Sequence, residues 1–461
     1  MIFLPSVSMS FHSVLAHPST PARLIGRAMA LFFAMCLAVL PASATSLLRD
    51  ADIEYGLKQI ATPILRAAGL SPHRVKILIV NDSTLNAFVV NNSAIFIHSG
   101  LINKMTNAEM LQGVIAHEAA HITNGHITRR ITNLGASRTA AGLGLALAAI
   151  AAAAGGAEAA TGIALGTQSA AQRAFLSHTR AEEASADQTG VRYMRSAGVN
   201  PKGLLDTLDI FRGKELLSAS RQDPYLRSHP LSRDRIRALE AYVAANKTAT
   251  KDQNASYWFA RVKGKLTAFQ RAPKWTLRRA GESGYADVKL MRQAVAYHRT
   301  SKTKKAVKTI NQAIAQRPKD AFLYDLKGQI LMESRQFAAA QNAYAQAVRL
   351  APRDALILSG YGRALLVRGD INAARTTLEK ARSIDFRDGI MLRDLSVAYA
   401  KSKQPGMAAL VTAERYALTG RLKDAGIHAK RASDLLPQGS GPWQRAQDVL
   451  IATKRAAKKR R

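Results

Sequence analysis

The spacing of hydrophobic and polar positions predicts a first half that is mostly helical and contains a small sheet. The segment from 45 to about 72 is predicted to be helical. A second helix is predicted from "TNAEMLQGVIAHEAAHITNGHI", with Thr106 as the N-cap and Glu109 at the capping-box position. Between these helices, three runs rich in Val, Ile and Phe, separated by "NDS" and "NNS" turns, predict short strands: "RVKILIV" (74–80), "LNAFVV" (85–90) and "AIFIHSG" (94–100).

A different pattern, with a period of 34 residues, begins near residue 286. "QRPKDAFLYDLKGQIL" aligns with "LAPRDALILSGYGRAL", and Ala306, Ala340 and Ala374 follow the same step. This period, with small residues where helices cross, is typical of tetratricopeptide repeats, which are stacked pairs of helices. The register is lost after about residue 400, and residues 413–437 are predicted to form another helix pair.

The first 44 residues have the pattern of a secretory signal peptide. Two arginines precede the apolar run 28–40, and Ala42 and Ala44 stand as an A-x-A cleavage site. The alternative is an uncleaved membrane anchor, but the run is shorter than the roughly 20 residues of a typical span. Cys36, the only cysteine, lies in this run, so a metal in the mature chain must be bound by His, Asp or Glu.

The net charge of +34 would point to nucleic acid in a cytoplasmic protein. The predicted export argues against nucleic-acid binding. Removing the signal peptide takes away two arginines and no acids, which leaves 34 − 2 = +32 on the exported chain. We therefore expect anionic lipid, acidic glycan or acidic protein as partners, including peripheral contact with a membrane.

Residues 139–157, "TAAGLGLALAAIAAAAGGA", carry no charge. Their length suits a transmembrane helix, but Ala and Gly are only weakly apolar. A single crossing would also place two motifs that are expected to build one site on opposite sides of the membrane. We expect a helical hairpin or a mobile flap near the site, over residues 139–170, rather than a membrane span.

The stretch "HEAAH" (117–121) carries the arrangement of a zinc hydrolase. On a helix, His117 and His121 are four residues apart and project from one face, so both imidazoles can reach one metal ion. Glu118 is placed to deprotonate a water at that ion without binding the metal itself. Two histidines and a third ligand would leave the fourth position of zinc open for water.

The third ligand is not in this stretch. His126 lies nine residues after His117, about 180° around a continuous helix, which indicates a structural or outer-shell histidine. In "TRAEEASADQTG" (179–190), Glu183 and Asp187 are four apart on a helix. One carboxylate can bind the metal while the other accepts a hydrogen bond from a ligand histidine. Glu182 is about 100° away on this helix and is the weaker choice.

Five stretches together resemble the M48 family of zinc metallopeptidases. They are "NAFVVNNSAIFIHSGLI" (86–102), "HEAAH" (117–121), Glu183 with Ala186 and Asp187 as E-x-x-A-D, "SAGVNP" (196–201) and "SHPLSRDRI" (228–236). With the repeats behind it, the chain is most similar to the periplasmic β-barrel assembly-enhancing protease group. That group commonly carries a proline- and glycine-containing turn where this chain has "VVNNS", so the shape of the substrate-binding edge is expected to differ.

The resemblance implies a role for each site residue. It implies one Zn²⁺ per chain, bound by His117, His121 and Glu183, and Glu118 as the general base. It also implies that His229 can approach the zinc and hold the site inactive. In the expected mechanism, His229 or a nearby donor is the alternative candidate for stabilising the oxyanion. The strand Ala94, Ile95, Phe96, Ile97 is implied to be the sheet edge that pairs with an extended substrate.

Together these patterns predict an α+β, mostly helical chain: a zincin-type protease domain followed by an all-α repeat solenoid. The expected function is a periplasmic zinc endopeptidase in outer-membrane protein quality control or assembly, with repeats that recruit outer-membrane proteins or their assembly machinery. The alternative is a repeat-based chaperone or scaffold with a largely latent protease site. The expected boundaries are a signal peptide at 1–44, the protease domain at 45–245, a helical connector at 246–285, the repeats at 286–440, and a C-terminal helix and basic tail at 441–461.

Overall fold

The computed structural model describes residues 47–129, 179–214, 217, 221–245 and 252–458. The predicted signal peptide (1–44) and the predicted flap (139–170) lie outside these residues, so both stay predictions. Within the described part of the chain, no helix is both long enough and apolar enough to span a bilayer.

A four-stranded mixed sheet lies in the first half of the chain. Its strands are β1 (Leu47–Leu48), β2 (Lys76–Val80), β3 (Ala87–Asn91) and β4 (Ala94–His98), in the order β1-β2-β4-β3. Strands β2 and β4 are parallel, and the other two pairs are antiparallel. The three predicted strands are confirmed. The helix predicted from residue 45 begins only at Ala51, because Leu47 and Leu48 pair with β2.

The prediction that Ala94, Ile95, Phe96 and Ile97 form a sheet edge is wrong. They belong to β4, in which Ile95 pairs with Ile77 of β2 on one side and with Val89 of β3 on the other. All five residues of β4 are buried. A continuous apolar run suits a strand that is covered on both faces and paired on both sides. In the described part of the sheet, β3 is the edge next to β4.

The described residues up to 245 also form seven helices, of which the first three contact the sheet. They are α1 (Ala51–Ala67), α2 (Ser99–Lys104), α3 (Ala108–Thr123), α4 (Arg180–Ser196), α5 (Lys202–Asp209), α6 (Pro224–Ser228) and α7 (Arg233–Ala244). Helix α3, which carries the "HEAAH" stretch, is buried along nearly its whole length.

The N-cap of α3 differs from the predicted capping box. Asn107 is the N-cap, and its side chain accepts a hydrogen bond from the Met110 backbone N–H at 3.0 Å. The Thr106 hydroxyl contacts the Met110 sulfur instead. Asn is at least as good an N-cap as Thr, so the helix begins one residue later than expected.

The second half of the chain is entirely helical where it is described. Helix α8 (Gln253–Gln270), α9 (Pro273–Arg278) and a 3₁₀ turn (Ala280–Ser283) come first. Ten helices follow in the described residues up to 458, as five consecutive pairs: α10 (Ala286–His298), α11 (Thr303–Gln316), α12 (Ala321–Glu333), α13 (Phe337–Leu350), α14 (Ala355–Arg368), α15 (Ile371–Ile384), α16 (Gly389–Lys401), α17 (Pro405–Leu418), α18 (Leu422–Leu435) and α19 (Gly441–Lys458).

The 34-residue period persists further along the chain than the sequence pattern indicated. Helix α17 begins at Pro405, 34 positions after α15 begins at Ile371. The stretch 413–437, predicted as one helix pair, contains the end of α17 and all of α18. Small residues mark the helix crossings as expected. A β-carbon added to Gly328 would lie only 2.8 Å from the Tyr344 ring, so the repeat needs glycine there.

Buried ion pairs join the repeats to the first half of the chain. Arg261 in α8 contacts Asp52 of α1 at 2.7 Å and Asp320, which caps α12, at 2.5 Å. On the same helix, Lys265 contacts Asp50 at 2.9 Å. The side chains of Arg261 and Lys265 are almost completely buried, so removing either partner would leave an unpaired charge inside the protein. These pairs fix α8 between α1 and the repeats.

A fragment beginning at residue 286 is expected to fold on its own, because each helix pair packs mainly on its neighbours. We expect a helical circular-dichroism spectrum and cooperative thermal unfolding. A fragment beginning at Asp252, which keeps the Arg261–Asp320 pair, is the matched control and should unfold at a higher temperature. A disordered 286–461 fragment beside a folded 252–461 fragment would show that α8 belongs to the repeat domain and that the predicted boundary is misplaced.

Candidate metal centre

Helices α3 and α4 bring the candidate ligands together. His117 and His121 lie on the same face of α3, and their Nε2 atoms are 3.1 Å apart. Gly190 of α4 lies against the backbone of Ala116 and His117, where an added β-carbon would be 3.3 Å away. This close approach of the two helices places Glu183 of α4 beside both histidines. Its Oε2 is 3.4 Å from His117 Nε2, and its Oε1 is 3.3 Å from His121 Nε2.

His229 completes the cluster from a third segment of the chain. It follows directly after α6, and its Nδ1 is 3.3 Å from His117 Nε2 and 3.0 Å from Glu183 Oε1. Its Nε2 is 3.1 Å from the backbone oxygen of Ala87, at the start of β3. A neutral His229 that donates Nε2–H to this carbonyl presents an unprotonated Nδ1 to the cluster. The Tyr225 ring packs against the imidazole at a centroid distance of 4.6 Å.

A second layer of polar residues orients these side chains. Asp187 Oδ1 is 2.9 Å from His117 Nδ1, so its carboxylate can hold the proton on that nitrogen and leave Nε2 free to bind a metal. Arg235 of α7 donates two hydrogen bonds, of 2.7 and 2.9 Å, to the Asp187 carboxylate, and it contacts Glu183 Oε2 at 2.7 Å. Sequence reasoning assigned no role to Arg235, because nothing distinguishes it from the many other basic residues of this chain.

His126 and Glu182 lie outside the cluster. Helix α3 ends at Thr123, and Gly125 adopts a positive φ of 71°, which turns the chain back. His126 Nδ1 then lies 2.8 Å from His121 Nδ1, on the side of the ring away from the cluster. Glu182 caps its own helix, because its side chain accepts a hydrogen bond from the Thr179 backbone N–H at 3.1 Å.

Glu118 is fully buried beside the cluster and, within the described residues, neither of its carboxylate oxygens accepts a hydrogen bond. The Oε1 atom of Glu118 lies 3.4 Å from the Nε2 atom of His229. Burial raises the pKa of the Glu118 carboxyl, and this effect exceeds the opposing influence of His229 and His117. A carboxyl group with a raised pKa is suited to exchange protons near neutral pH.

The electrostatics of the cluster favour a positive charge at its centre. Burial alone would lower the pKa of His117, but Glu183 and Asp187 outweigh it and raise that pKa to about 10. Burial would raise the pKa of Glu183, but His229, His117 and Arg235 hold it well below its usual range. Burial lowers the pKa of His121 well below its usual value, so this imidazole is neutral and keeps a lone pair for a ligand.

The donor set fits a divalent metal ion. One ligand atom from each of His117, His121, Glu183 and His229 lies within 4.8 Å of all the others. Tetrahedral ligands at about 2.0–2.1 Å from a metal are separated by about 3.3–3.4 Å. The closest donor atoms here are 3.0 to 3.4 Å apart, so these side chains could bind a metal with little rearrangement.

The family comparison agrees with this geometry. Residues 49–243 match the model of peptidase family M48, and this range contains every member of the cluster. The chain contains an M48 peptidase domain. Residues 331–396 match a tetratricopeptide-repeat model, in agreement with the stacked helices from the end of α12 into α16.

Known proteins resemble parts of the chain. A β-barrel assembly-enhancing protease of Yersinia pestis is 24% identical over 273 residues, covering 57% of this chain and 54% of that protein. Its Escherichia coli K12 counterpart is 29% identical over 161 residues, covering 34% and 32%. The metalloprotease LoiP of E. coli K12 is 28% identical over 205 residues, covering 42% and 73%. The chain thus spans between about a third and about half of the length of the two assembly-enhancing proteases.

Solved structures match mainly over the repeats. The structure titled "MamA MSR-1 C2" is 15% identical and covers 36% of this chain and 97% of its own, with a TM-score of 0.30.

Proposed function

We propose that this chain is a zinc-dependent endopeptidase whose metal is bound by His117, His121 and Glu183. The observation that carries the proposal is the convergence of these three side chains, from two helices, beside the buried Glu118, whose carboxylate oxygens accept no hydrogen bond from the described residues. Two histidines and one carboxylate are a common ligand set for catalytic zinc, and a fourth position then remains for water or substrate.

Each residue around the metal ligands has a separate proposed role in peptide hydrolysis. Bound zinc would supply Lewis acidity toward a peptide carbonyl. Glu118 takes a proton from the attacking water and returns it to the leaving amine, which its raised pKa favours. Asp187 holds the His117 ring in its orientation, and Arg235 fixes Asp187 in turn. His229 either keeps the site closed or donates a hydrogen bond to the oxyanion.

Strand β3, rather than β4, is the proposed substrate edge. The Asn86 carbonyl bonds to His98 at the end of β4, and the Ala87 carbonyl bonds to His229. Because successive residues of a strand point their backbone groups in opposite directions, Ala87 and Val89 direct theirs away from β4. An extended substrate could pair with these groups once His229 releases the Ala87 carbonyl.

The proposed setting is the periplasm, with outer-membrane proteins or their assembly machinery as substrates or partners. The signal-peptide pattern supports export, and the similarity to the β-barrel assembly-enhancing proteases of Y. pestis and E. coli supports a link to β-barrel assembly. The repeats supply a helical surface for protein recruitment. The position of His229 within the cluster favours a second candidate function, a repeat-based chaperone or scaffold whose protease site is mostly latent.

Replacing Glu118 with Gln tests the proposal. We expect Glu118→Gln to keep its metal and to lower proteolysis of an unfolded protein substrate by about 10²–10⁴-fold, because the proton acceptor is lost. Glu109→Gln, in the first turn of the same helix, is the matched control and should keep full activity. Unchanged proteolysis in metal-loaded Glu118→Gln would contradict the proposal.

The same variant separates a protease from a scaffold. A strain that lacks the gene should show an envelope defect that the wild-type gene corrects. If Glu118→Gln corrects the defect equally well, the cellular role is that of the scaffold. If it does not, the zinc-loaded variant can serve as a trap, and the proteins that it retains in a pull-down identify the substrates.

A further inference from the structure

A cavity of about 670 Å³ lies apart from the metal ligands, between the start of α3 and helices α8, α9 and α10. This volume is in the range of small-molecule binding sites. Four cationic side chains line it, and Glu282 is the only acidic side chain among its described lining residues; the cations are Lys263, Arg271, Arg279 and Arg292. The cavity therefore carries an excess of positive charge.

On helix α8, Arg261 and Lys265 form ion pairs with carboxylates, whereas Lys263, which lines the cavity, does not form one with any described residue. Arg261 and Lys265 are matched by aspartates, and despite burial the pKa of Lys265 is raised by Asp50 and Asp52. Lys263, two positions from each, donates to the backbone oxygen of Met105 instead. Burial, and then the nearby Arg292, lower the pKa of Lys263. Glu282 lies 3.6 Å from Arg279, so the four cations at this cavity share a single carboxylate among its described lining residues.

Arg292 is the most deeply placed of these cations. Its side chain is 5% exposed, and its Nη1 donates to the backbone oxygens of Arg279 and Ala280, which hold the guanidinium in place. Its Nε has no hydrogen-bond partner in the described part of the chain. Burying an N–H of a charged group without an acceptor is costly, so the site favours an added anion.

Two further features suit an anion. Asn107 and Ala108 line the cavity at the N-terminus of the 16-residue helix α3, where backbone N–H groups and the helix dipole present partial positive charge. Two guanidiniums approach the Trp275 ring, that of Arg279 at 5.4 Å and that of Arg271 at 6.0 Å from the ring centre. The ring holds both cations at the cavity wall.

We infer that this cavity binds a phosphate-class oxyanion, either as a free phosphate or as the head group of an anionic phospholipid. Several guanidiniums around one pocket match the charge and the planar hydrogen-bonding geometry of phosphate oxygens. Phe259 and Tyr285 supply apolar wall for the part of the ligand that carries the phosphate. The site shares no residue with the metal cluster, so its test does not depend on peptidase activity.

The full-length chain should be titrated with inorganic phosphate, followed by calorimetry and by the fluorescence of the tryptophans, because Trp275 lies at the site. The double variant Arg271→Gln/Arg279→Gln should bind phosphate at least tenfold more weakly. Lys274→Gln/Arg278→Gln is the matched control, since it removes the same charge from exposed positions of α9 that do not line the cavity. This control should change the affinity less than twofold. Arg292→Gln, provided that its circular-dichroism spectrum is unchanged, should also lose binding.

Vesicles distinguish the two sources of phosphate. Co-sedimentation with phosphatidylglycerol vesicles that is lost in Arg271→Gln/Arg279→Gln but kept in the control assigns the site to a lipid head group. If the wild type binds phosphate but both double variants co-sediment equally with the vesicles, the site is assigned to a free phosphate. No phosphate binding, or an equal loss of binding in both double variants, would overturn the inference, because the excess charge would then act only as a diffuse surface potential.

Discussion

Glu183→Gln should lose its metal, whereas Glu182→Gln should keep it. The two carboxylates are adjacent in sequence, but Glu183 lies within 3.4 Å of both histidines of α3 while Glu182 caps the start of α4. Loss of even an outer partner of a metal ligand typically costs about 10–100-fold in affinity, so loss of a direct ligand should cost at least as much. Metal analysis after gel filtration should find about one zinc per chain in the wild type and in Glu182→Gln.

Each variant differs from the wild type by one Glu→Gln exchange in α4. Both therefore lose one negative charge from the same helix, and a difference in zinc content cannot come from the charge alone. Circular dichroism should confirm that Glu183→Gln still folds, because Arg235 keeps its two hydrogen bonds to Asp187. Equal zinc content in both variants, or equal loss from both, would refute the assignment of Glu183 as a ligand.

His229→Ala is expected to leave zinc bound and to raise basal proteolysis, including cleavage of the protein by itself. The His229 side chain occupies the cluster with Nδ1 and holds the Ala87 carbonyl of the proposed substrate edge with Nε2. Removing it would free both the metal position and the edge strand. An open state stabilised by about 1.4 kcal/mol corresponds to about a tenfold increase in the open fraction and in the basal rate.

The double variant Glu118→Gln/His229→Ala is the control for this prediction, because it should be inactive if the new activity arises at the same site. Metal content must be measured in parallel. If His229→Ala abolishes activity while zinc stays bound, His229 is a catalytic donor and does not keep the site closed.

Local periodicity predicted much of this protein. The helical spacing of His117 and His121 and of Glu183 and Asp187 placed each pair on one helix face. The structure brings Glu183 into the cluster with both histidines and places Asp187 against His117. The 34-residue period predicted the repeats, which the structure and the family model support. Neither pattern required knowledge of distant contacts, because each reflects the geometry of a single helix or of one repeat packing on the next.

Other features could not be read from local patterns. Whether Ala94–His98 is an edge or a central strand depends on the order of strands in the sheet, and a buried apolar run looks alike in both places. The hydrogen bonds from Arg235 to Asp187 join residues that are 48 positions apart in the sequence, so no local pattern indicates them. The choice between Thr106 and Asn107 as N-cap rested on two adjacent residues that are both good caps.

By itself, the sequence determined the types of helix and strand, the repeat period and the kind of metal-binding chemistry, because these follow from side chains spaced a few residues apart. Only the tertiary structure decided which elements meet. The close approach of α4 to α3 at Gly190, the position of β3 as the edge, and the ion pairs of Arg261 all depend on packing between distant segments. Such contacts arise from the shape and charge of whole surfaces, which no periodicity within a short segment encodes.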